Sequence, residues 1–303
     1  MKIFKKIFYL LKFYIMYSSK KRDLNDSIDN YADIIVLNPS VENAVIPKKI
    51  WMYWEGNLPE FVEKCVEQIK KKNPDYDVNF LVPDNVKSFC DIDFSCLQRM
   101  TPQQKADLIR FELIYQHGGI WLDSSIIIYE SLDWIQDLIT KNKTNSFAYY
   151  RAKNTTIEAY PVLENWLLAS TEKNIFFKFW FDELIKAIKV SPKMYLQEIK
   201  ETEVNYQDLF QEIGRLEYLV AYVACQKVMR YHLPSMTLIN CDKNAFFYQL
   251  KSNWMKEGVL IDMAINYPPE NRPKLIKLAG KERKILSRYF AKNMYFRDSL
   301  LDI

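Results

Sequence analysis

The chain has 303 residues, 49% of them hydrophobic and only 6 of them glycine, so it can bury a large core and is not a disordered chain. Its five cysteines are odd in number and lack C-x-x-C spacing, which favours a reducing cytosol, and its two histidines disfavour a histidine-rich zinc site. The net charge of +4 combines two basic ends with an acidic body, whereas a nucleic-acid-binding protein would spread basic charge over its folded body.

The first basic end mixes large apolar residues with lysines over residues 1–17. The lysines interrupt the apolar run well short of the roughly 20 residues that a membrane-spanning helix needs. No small-residue cleavage site follows, so a secretory signal is not indicated. The pattern favours an amphipathic helix lying in an anionic membrane surface.

The second basic end, over residues 274–297, also places basic and apolar residues on different helical faces. It is typical either of a membrane-surface helix or of a terminal helix packed on the body with a solvated basic face. We expect residues 1–45 to be a basic amphipathic segment followed by a polar linker from residue 23. A catalytic domain over 46–272 and a basic amphipathic helical segment over 273–303 follow.

Between the two ends, strand and helix patterns alternate up to Asp123, which is typical of a layered α/β domain. The expected order is a strand in 46–56, a helix over 59–72, a strand over 78–82, a helix from 101 and a short strand before Asp123. A further strand is expected over 145–150. The chain then becomes largely helical, with expected helices over 161–170, 174–189, 206–213 and 215–231.

Residues 118–125 read GGIWLDSS, which indicates a helix stop, a short apolar strand and an acidic residue at the strand end. Ligands of open α/β sheets bind outside the carboxyl ends of strands, so Asp123 is a candidate functional residue. The alternative is that Asp123 simply ends a buried strand.

The preceding helix begins with the capping-box pattern of Thr101 and Gln104. Asp107 and Arg110 lie three residues apart and share a face of this helix. They form either a surface ion pair of little consequence or a polar edge that faces a ligand.

Three motifs together resemble a known family. They are IPKKIWMYWEG at 46–56, ADLIR at 106–110 followed by GGIWLDSS, and ENWLLAS at 164–170. They resemble bacterial glycosyltransferases of the capsular polysaccharide synthesis type. They are also similar to the wider group of sugar transferases with a D-x-D motif, which includes clostridial toxin glucosyltransferases. The resemblance implies a GT-A-type α/β fold, with a mixed sheet flanked by helices and a helical C-terminal part, and a nucleotide-sugar donor, most often a UDP-sugar.

The resemblance also implies roles for donor-binding residues. Trp54 would stack on the base, and Asp107 and Arg110 would hold the ribose or donor sugar and the diphosphate. Asn165 would contact the transferred sugar. The alternatives are a buried strand aromatic for Trp54 and a helix cap for Asn165.

By the same resemblance, Asp123 and Ser125 would bind a divalent metal ion, Mn²⁺ or Mg²⁺, that bridges the diphosphate. Ser125 stands where the wider group has a second Asp, and a hydroxyl is a weaker ligand than a carboxylate. Asp242 and Asn253 are candidate further ligands. The substitution also leaves loose metal binding, or no metal dependence, open.

The resemblance implies a hexosyltransferase that acts with retention on a glycan acceptor, such as a lipid-linked capsular or surface polysaccharide intermediate. Asp123, Arg110 and Asn165 would be its catalytic residues. The two basic ends favour a lipid-linked acceptor and a cytoplasmic protein associated peripherally with the inner face of the cell membrane. Two alternatives are a non-catalytic sugar-nucleotide-binding or scaffold protein, which Ser125 motivates, and a toxin-like transferase that modifies a protein.

Overall fold

A computed structural model describes residues 2–24, 27–39, 41–94, 97 and 100–303. In this part the strands are β1 (Ile35–Leu37), β2 (Lys49–Tyr53), β3 (Asp77–Leu81), β4 (Gly119–Leu122), β5 (Ile127–Ile128), β6 (Ser146–Tyr150), β7 (Leu163–Ser170), β8 (Met236–Asn240) and β9 (Leu275–Ile276). The helices are α1 (Lys2–Ser19), α2 (Glu60–Lys72), α3 (Pro102–His117), α4 (Asp133–Asn142), α5 (Ile175–Val190), α6 (Pro192–Thr202), α7 (Tyr206–Phe210), α8 (Val220–Tyr231), α9 (Phe247–Lys251), α10 (Lys256–Ala264) and α11 (Gly280–Phe290).

Seven of the described strands form one mixed sheet in the order β1-β8-β6-β7-β4-β2-β3. β2 is parallel to β3 and β4, and β6 is parallel to β8, whereas the remaining neighbours are antiparallel. β5 and β9 form a separate antiparallel pair. Because β2, β3 and β4 are parallel neighbours, their carboxyl ends meet at one edge of the sheet.

Both faces of the sheet are covered by helices. Successive side chains of a strand point to opposite faces, and in β4 all of them are buried. On β4, Trp121 joins a core cluster with α3, α5 and α8, whereas Ile120 and Leu122 join a second cluster with α4. The predicted α/β fold with a mixed sheet between helices is therefore confirmed.

A third core cluster joins α1, α2, α10 and α11 to the β5–β9 pair. The apolar residues of α11, including Leu286 and Phe290, are buried there. The second basic end thus contains a packed helix, with Lys281, Lys284 and Lys292 exposed and Glu282 buried. Within the described residues, no helix is both long enough and apolar enough to cross a bilayer.

The structure corrects two expectations. The helix predicted over 161–170 is wrong, because Leu163–Ser170 forms the central strand β7, and with it the helix-cap alternative for Asn165 is wrong. All eight residues of β7 are buried, and such a continuous run lacks the alternation that distinguishes a strand from a buried helix. Ile35–Leu37, expected in a linker, pairs with β8 as an edge strand. The boundaries after residues 45 and 272 stay predictions.

Candidate active site

The site begins at the turn that joins α3 to β4. Gly118 and Gly119 both have positive φ, at +59° and +88°. A Cβ atom on Gly119 would lie 2.6 Å from the carbonyl oxygen of Lys49, and one on Gly118 would lie 2.8 Å from backbone atoms of Ser170 and Glu172. Only glycine fits both positions, and the pair lets β4 enter the sheet directly after the helix.

Arg110 connects the helix to the end of the strand. Its Nη1 donates to Oδ1 of Asp107 at 2.5 Å, and its Nη2 donates to Oδ1 of Asp123 at 2.9 Å. Arg110 is only 3% exposed and Asp107 only 5%, so the surface-ion-pair alternative is wrong. The planar guanidinium bonds the two carboxylates through separate nitrogens in a fixed geometry, which the ammonium group of a lysine does not provide.

Asp107 is shared with β7, because Nδ2 of Asn165 donates to its Oδ1 at 3.0 Å. Burial raises the pKa of Asp107 to about 6, although Arg110 and Asn165 both favour its charged form. The four predicted residues Asp107, Arg110, Asp123 and Asn165 therefore form one hydrogen-bonded network.

The second oxygen of Asp123 accepts a bond from a residue that the sequence did not predict. Nζ of Lys277 lies 2.5 Å from Oδ2 of Asp123, while Nε1 of Trp121 donates to Oδ1 at 3.3 Å. Burial acts to raise the pKa of Asp123, but Lys277 and Arg110 outweigh it and hold that pKa below its usual range. Asp123 is therefore a carboxylate held between two cations.

The side-chain oxygens around Asp123 do not fit a divalent metal ion bound by the protein. Asp123 offers one carboxylate whose oxygens are already bonded, and the buried Ser125 offers a hydroxyl. Among the described residues, no group of three or more His, Cys, Asp or Glu side chains is placed to hold a metal ion. Mg²⁺ and Mn²⁺ complete their oxygen ligands with water and substrate phosphate, but they still need at least one carboxylate, and the carboxylate of Asp123 is already bonded to Arg110 and Lys277.

The two candidate further ligands lie outside the cleft lining. Asp242 instead accepts a bond from Nε of Arg151 at 2.8 Å and another from the backbone N–H of Lys153. Asn253 is exposed, in a turn after α9. Neither completes a metal site with Asp123.

A cleft of about 840 Å³ opens over this network. Its described lining contains six basic and four acidic side chains, which gives it an excess of positive charge. The basic residues are Arg110, Arg151, Arg215, Lys277, Lys281 and Arg283, and the acidic ones are Glu55, Asp107, Asp123 and Glu164. Cavities of this size hold cofactor-sized ligands.

Trp54 and Ser125, predicted to bind the donor, also line the cleft. Trp54 follows β2 directly, and the guanidinium carbon of Arg283 lies 4.9 Å from its ring centroid. The indole also packs on the third core cluster but is only partly buried and lies just after β2, so it is not a buried strand aromatic, and its stacking on a base stays a prediction.

Sequence reasoning missed the lining residues Lys277, Lys281 and Arg283. Lys277 follows the two-residue strand β9, which is too short to give a pattern. The other two begin a helix whose basic face was expected at a membrane surface or in solvent, not in a cleft. Only the pairing of β5 with β9, across about half the chain, brings Lys277 to Asp123.

Comparison with known proteins identifies the family. Residues 2–196 match the family described as "Capsular polysaccharide synthesis protein", and this match spans more than half of the chain. The protein belongs to this family, which confirms the resemblance. The matched region contains Asp107, Arg110, Asp123 and Asn165 but ends before Lys277.

Individual relatives are distant. O-glycosyltransferase braB of Annulohypoxylon truncatum is 22% identical over 68% of this chain and 60% of its own length. Initiation-specific alpha-1,6-mannosyltransferase of Candida albicans is 27% identical over 42% of this chain and 37% of its own. Inositol phosphoceramide mannosyltransferase 3 of Schizosaccharomyces pombe is 30% identical over 41% and 35%. The chain thus spans at most about three fifths of the length of these relatives.

Among solved structures, PaToxG Glycosyltransferase aligns over 96% of this chain and 95% of its own, with 13% identity and a TM-score of 0.36. Glycosyltransferase GlyE of Streptococcus pneumoniae TIGR4 aligns over 82% and 64%, with 11% identity and a TM-score of 0.40. Likeness at this level carries no argument about individual residues.

Proposed function

We propose that this protein is a glycosyltransferase of the GT-A type. It moves a hexose from a nucleotide sugar, with a UDP-sugar as the first choice, to a glycan acceptor such as a lipid-linked surface polysaccharide intermediate. The observation that carries the proposal is the buried Asp107–Arg110–Asp123–Asn165 network at the floor of a cationic cleft. Family membership and the names of the relatives support the same class of reaction.

The network suits a sugar donor because it combines the groups that a sugar and a diphosphate need. Asn165 can both donate to and accept from sugar hydroxyls, and Asp107 accepts from them once it is ionised. Arg110, at the same site, favours a phosphate oxygen by charge and by the shape of its guanidinium. The surplus of basic side chains around the cleft attracts the polyanionic donor.

In the proposed reaction the bond between the anomeric carbon and the diphosphate oxygen breaks, and its electron pair stays on that oxygen. An acceptor hydroxyl forms the new bond on the same face of the sugar, so the configuration is retained. The hydroxyl proton passes to the departing phosphate oxygen. The chain's part is to hold the sugar and to stabilise the charge that develops on the leaving group.

A panel of UDP-sugars and GDP-mannose tests the assignment through release of nucleoside diphosphate. GDP-mannose is included because two relatives are named as mannosyltransferases. We expect slow hydrolysis of one sugar, lost in Asp123→Ala and kept in Glu67→Ala, which changes an exposed carboxylate on α2. Binding of a nucleotide sugar without turnover, even with lipid-linked acceptors, would favour the scaffold alternative. A glycosylated protein product would favour the toxin-like one, and an inverted product would contradict retention.

We propose further that α1 docks on an anionic membrane at the inner face of the cell membrane. One face of the helix packs inward through Phe13 and Met16, and its opposite face leaves large apolar side chains in solvent. Phe4 is 78% and Phe8 63% exposed. The exposed lysines beside them, such as Lys5, match the charge of anionic lipid, which attracts each basic residue by about 1 kcal/mol.

Vesicle sedimentation tests this docking. Wild type should pellet with vesicles containing phosphatidylglycerol and much less with phosphatidylcholine alone. The double change Phe4→Ser and Phe8→Ser should abolish pelleting while donor hydrolysis persists. Val204→Ser is the matched control, because Val204 is 94% exposed far from α1 in sequence. Equal pelleting of the double variant and wild type would refute a docking role for α1.

A further inference from the structure

We propose that Lys277 takes the place of a divalent metal ion, so that the enzyme binds its donor and supports departure of the diphosphate with its own side-chain cations. This inference rests on the proposed function. It concerns how the charge of the donor is neutralised, and it assigns Lys277 as a catalytic residue.

The first observation is the bonding of Asp123. Arg110 occupies one of its oxygens and Lys277 the other, at 2.9 and 2.5 Å. An ion bound by this carboxylate would lie beside the ammonium group of Lys277, which would repel it unless Lys277 moved away. Ser125 adds only a hydroxyl. The chain therefore places a cation, Lys277, at this point and lacks the second carboxylate that would bind a metal ion.

The second observation is that Lys277 is held in place by its backbone as well as by its side chain. Its N–H donates to the carbonyl of Ala245, and its carbonyl accepts a bond from Nε2 of the buried Gln249. Pairing of Ile127 with Ile276 fixes this segment beside the loop that carries Asp123. The side chain of Lys277 is only 14% exposed. A cation fixed in this way loses little entropy when an anion arrives.

The third observation is the group of cations that follows Lys277. Lys281 and Arg283 line the cleft together with Gly280, where α11 begins. Arg283 is half-buried and makes no ion pair within the described residues, and burial lowers its pKa. An added Cβ on Gly280 would meet no atom within 4 Å, so the space at the N-terminus of α11 is open. Helix N-termini favour phosphate, and here the adjoining cations share that preference. The buried Glu282 accepts the N–H of Ala279, so the open N–H groups would be those beside it.

Together these groups balance the charge of the reaction. As the bond between the anomeric carbon and the phosphate oxygen breaks, the electron pair stays on the diphosphate, which gains negative charge. Lys277 shifts part of its contact from Asp123 to the leaving oxygen, and Arg283 remains beside it. The proton of the acceptor hydroxyl completes the balance on that oxygen, and no further reactant is needed.

The wild-type protein provides the first test. We expect calorimetry with UDP to give the same Kd, within about twofold, in EDTA and in Mn²⁺, and we expect donor hydrolysis to survive EDTA. The inference is overturned if either UDP binding or hydrolysis is lost in EDTA and restored by Mn²⁺. If UDP and the sugar panel fail to bind under any condition, the proposed function itself has failed.

Substitutions provide the second test. Lys277→Met keeps the length of the side chain and removes its charge, and should lower donor hydrolysis by on the order of 10²-fold. Lys277→Asp adds a carboxylate beside Asp123, so its residual activity should become dependent on Mn²⁺. Lys284→Ala, an exposed lysine on α11, is the matched control and should change neither quantity. Thermal melting confirms folding, and a folded Lys277→Met with unchanged hydrolysis would overturn the inference.

Discussion

The two walls of the cleft differ in how the chain builds them. The first wall, formed by Asp107, Arg110 and Asp123, lies within 17 consecutive residues and is tightly paired. The second wall, formed by Lys277, Lys281 and Arg283, comes from a distant segment. Lys277 pairs with Asp123 and Lys281 with Glu282, whereas Arg283 makes no ion pair within the described residues. The first wall is a rigid frame, and the second supplies charge for a ligand.

The largest effect is expected where the first wall depends on one side chain. Arg110→Lys keeps the charge but loses the two nitrogens that hold Asp107 and Asp123 in fixed positions, so donor turnover should fall by roughly 10² to 10³-fold. Steady-state kinetics on the folded variant measure this. Arg230→Lys alters a half-buried arginine outside the cleft lining and should leave turnover unchanged. If Arg110→Lys turned over within threefold of wild type, the guanidinium geometry of Arg110 would be dispensable.

The first wall also depends on the Gly118–Gly119 turn that joins α3 to β4. Gly119→Ala combines a positive φ with a clash against Lys49, so unfolding free energy should fall by about 2 to 4 kcal/mol. Gly56→Ala separates the two causes, since φ is +92° there but no atom lies within 4 Å of the added Cβ. Urea denaturation should show a clearly smaller loss for Gly56→Ala, and equal losses would mean that backbone strain alone governs both.

Trp54 lies where the two walls meet, beneath Arg283. If it stacks on the base, Trp54→Leu should weaken UDP binding by about 1–3 kcal/mol. Calorimetry with UDP and with uridine should show the same loss for both, because stacking does not involve the phosphates. An unchanged Kd in a folded variant would leave Trp54 as a packing residue only.

The smallest effect concerns pH. Because the pKa of Asp107 is raised to about 6, this carboxyl is ionised at pH 7 and protonated at pH 5. Donor turnover should therefore fall about tenfold per pH unit below 6. The Asp107→Asn variant should turn over slowly at every pH and should not show this decline at acidic pH. The free energy of unfolding has the opposite pH dependence, because the folded chain binds the proton of Asp107 more tightly than the unfolded chain does. The contribution of this group to stability therefore decreases as pH rises from about 4 to 6. If the decline in turnover had its midpoint below pH 5, it would be due to another titrating group.

The first wall could be predicted from the sequence because its signals are local. A capping box starts α3, two glycines end it, and Asp107 and Arg110 share one face by spacing alone. Their burial could not be predicted, because β7 covers them and its uninterrupted apolar run resembled a helix.

The second wall could not be predicted because no local pattern marks it. The lysines and arginines near residue 280 gave a pattern similar to that of α1, although α11 buries its apolar face and α1 exposes it. Which partner covers an amphipathic helix is decided by the rest of the fold. Metal ligation by Asp123 was inferred from resemblance. Ser125 already left metal dependence open, and the contact of Asp123 with Lys277, which the sequence did not predict, adds a second reason to question it.

The short pairing of β5 with β9 has a consequence for the order of folding. Lys277 and Asp123 are separated by 154 residues, so the chain must close a very long loop before they meet. Contacts of such sequence separation form slowly compared with those inside α3 and β4. An intermediate that has built the first wall alone would already hold the frame for a sugar while lacking the charge to retain a nucleotide. Binding of the proposed nucleotide sugar would then depend on a contact that forms late, between segments 154 residues apart.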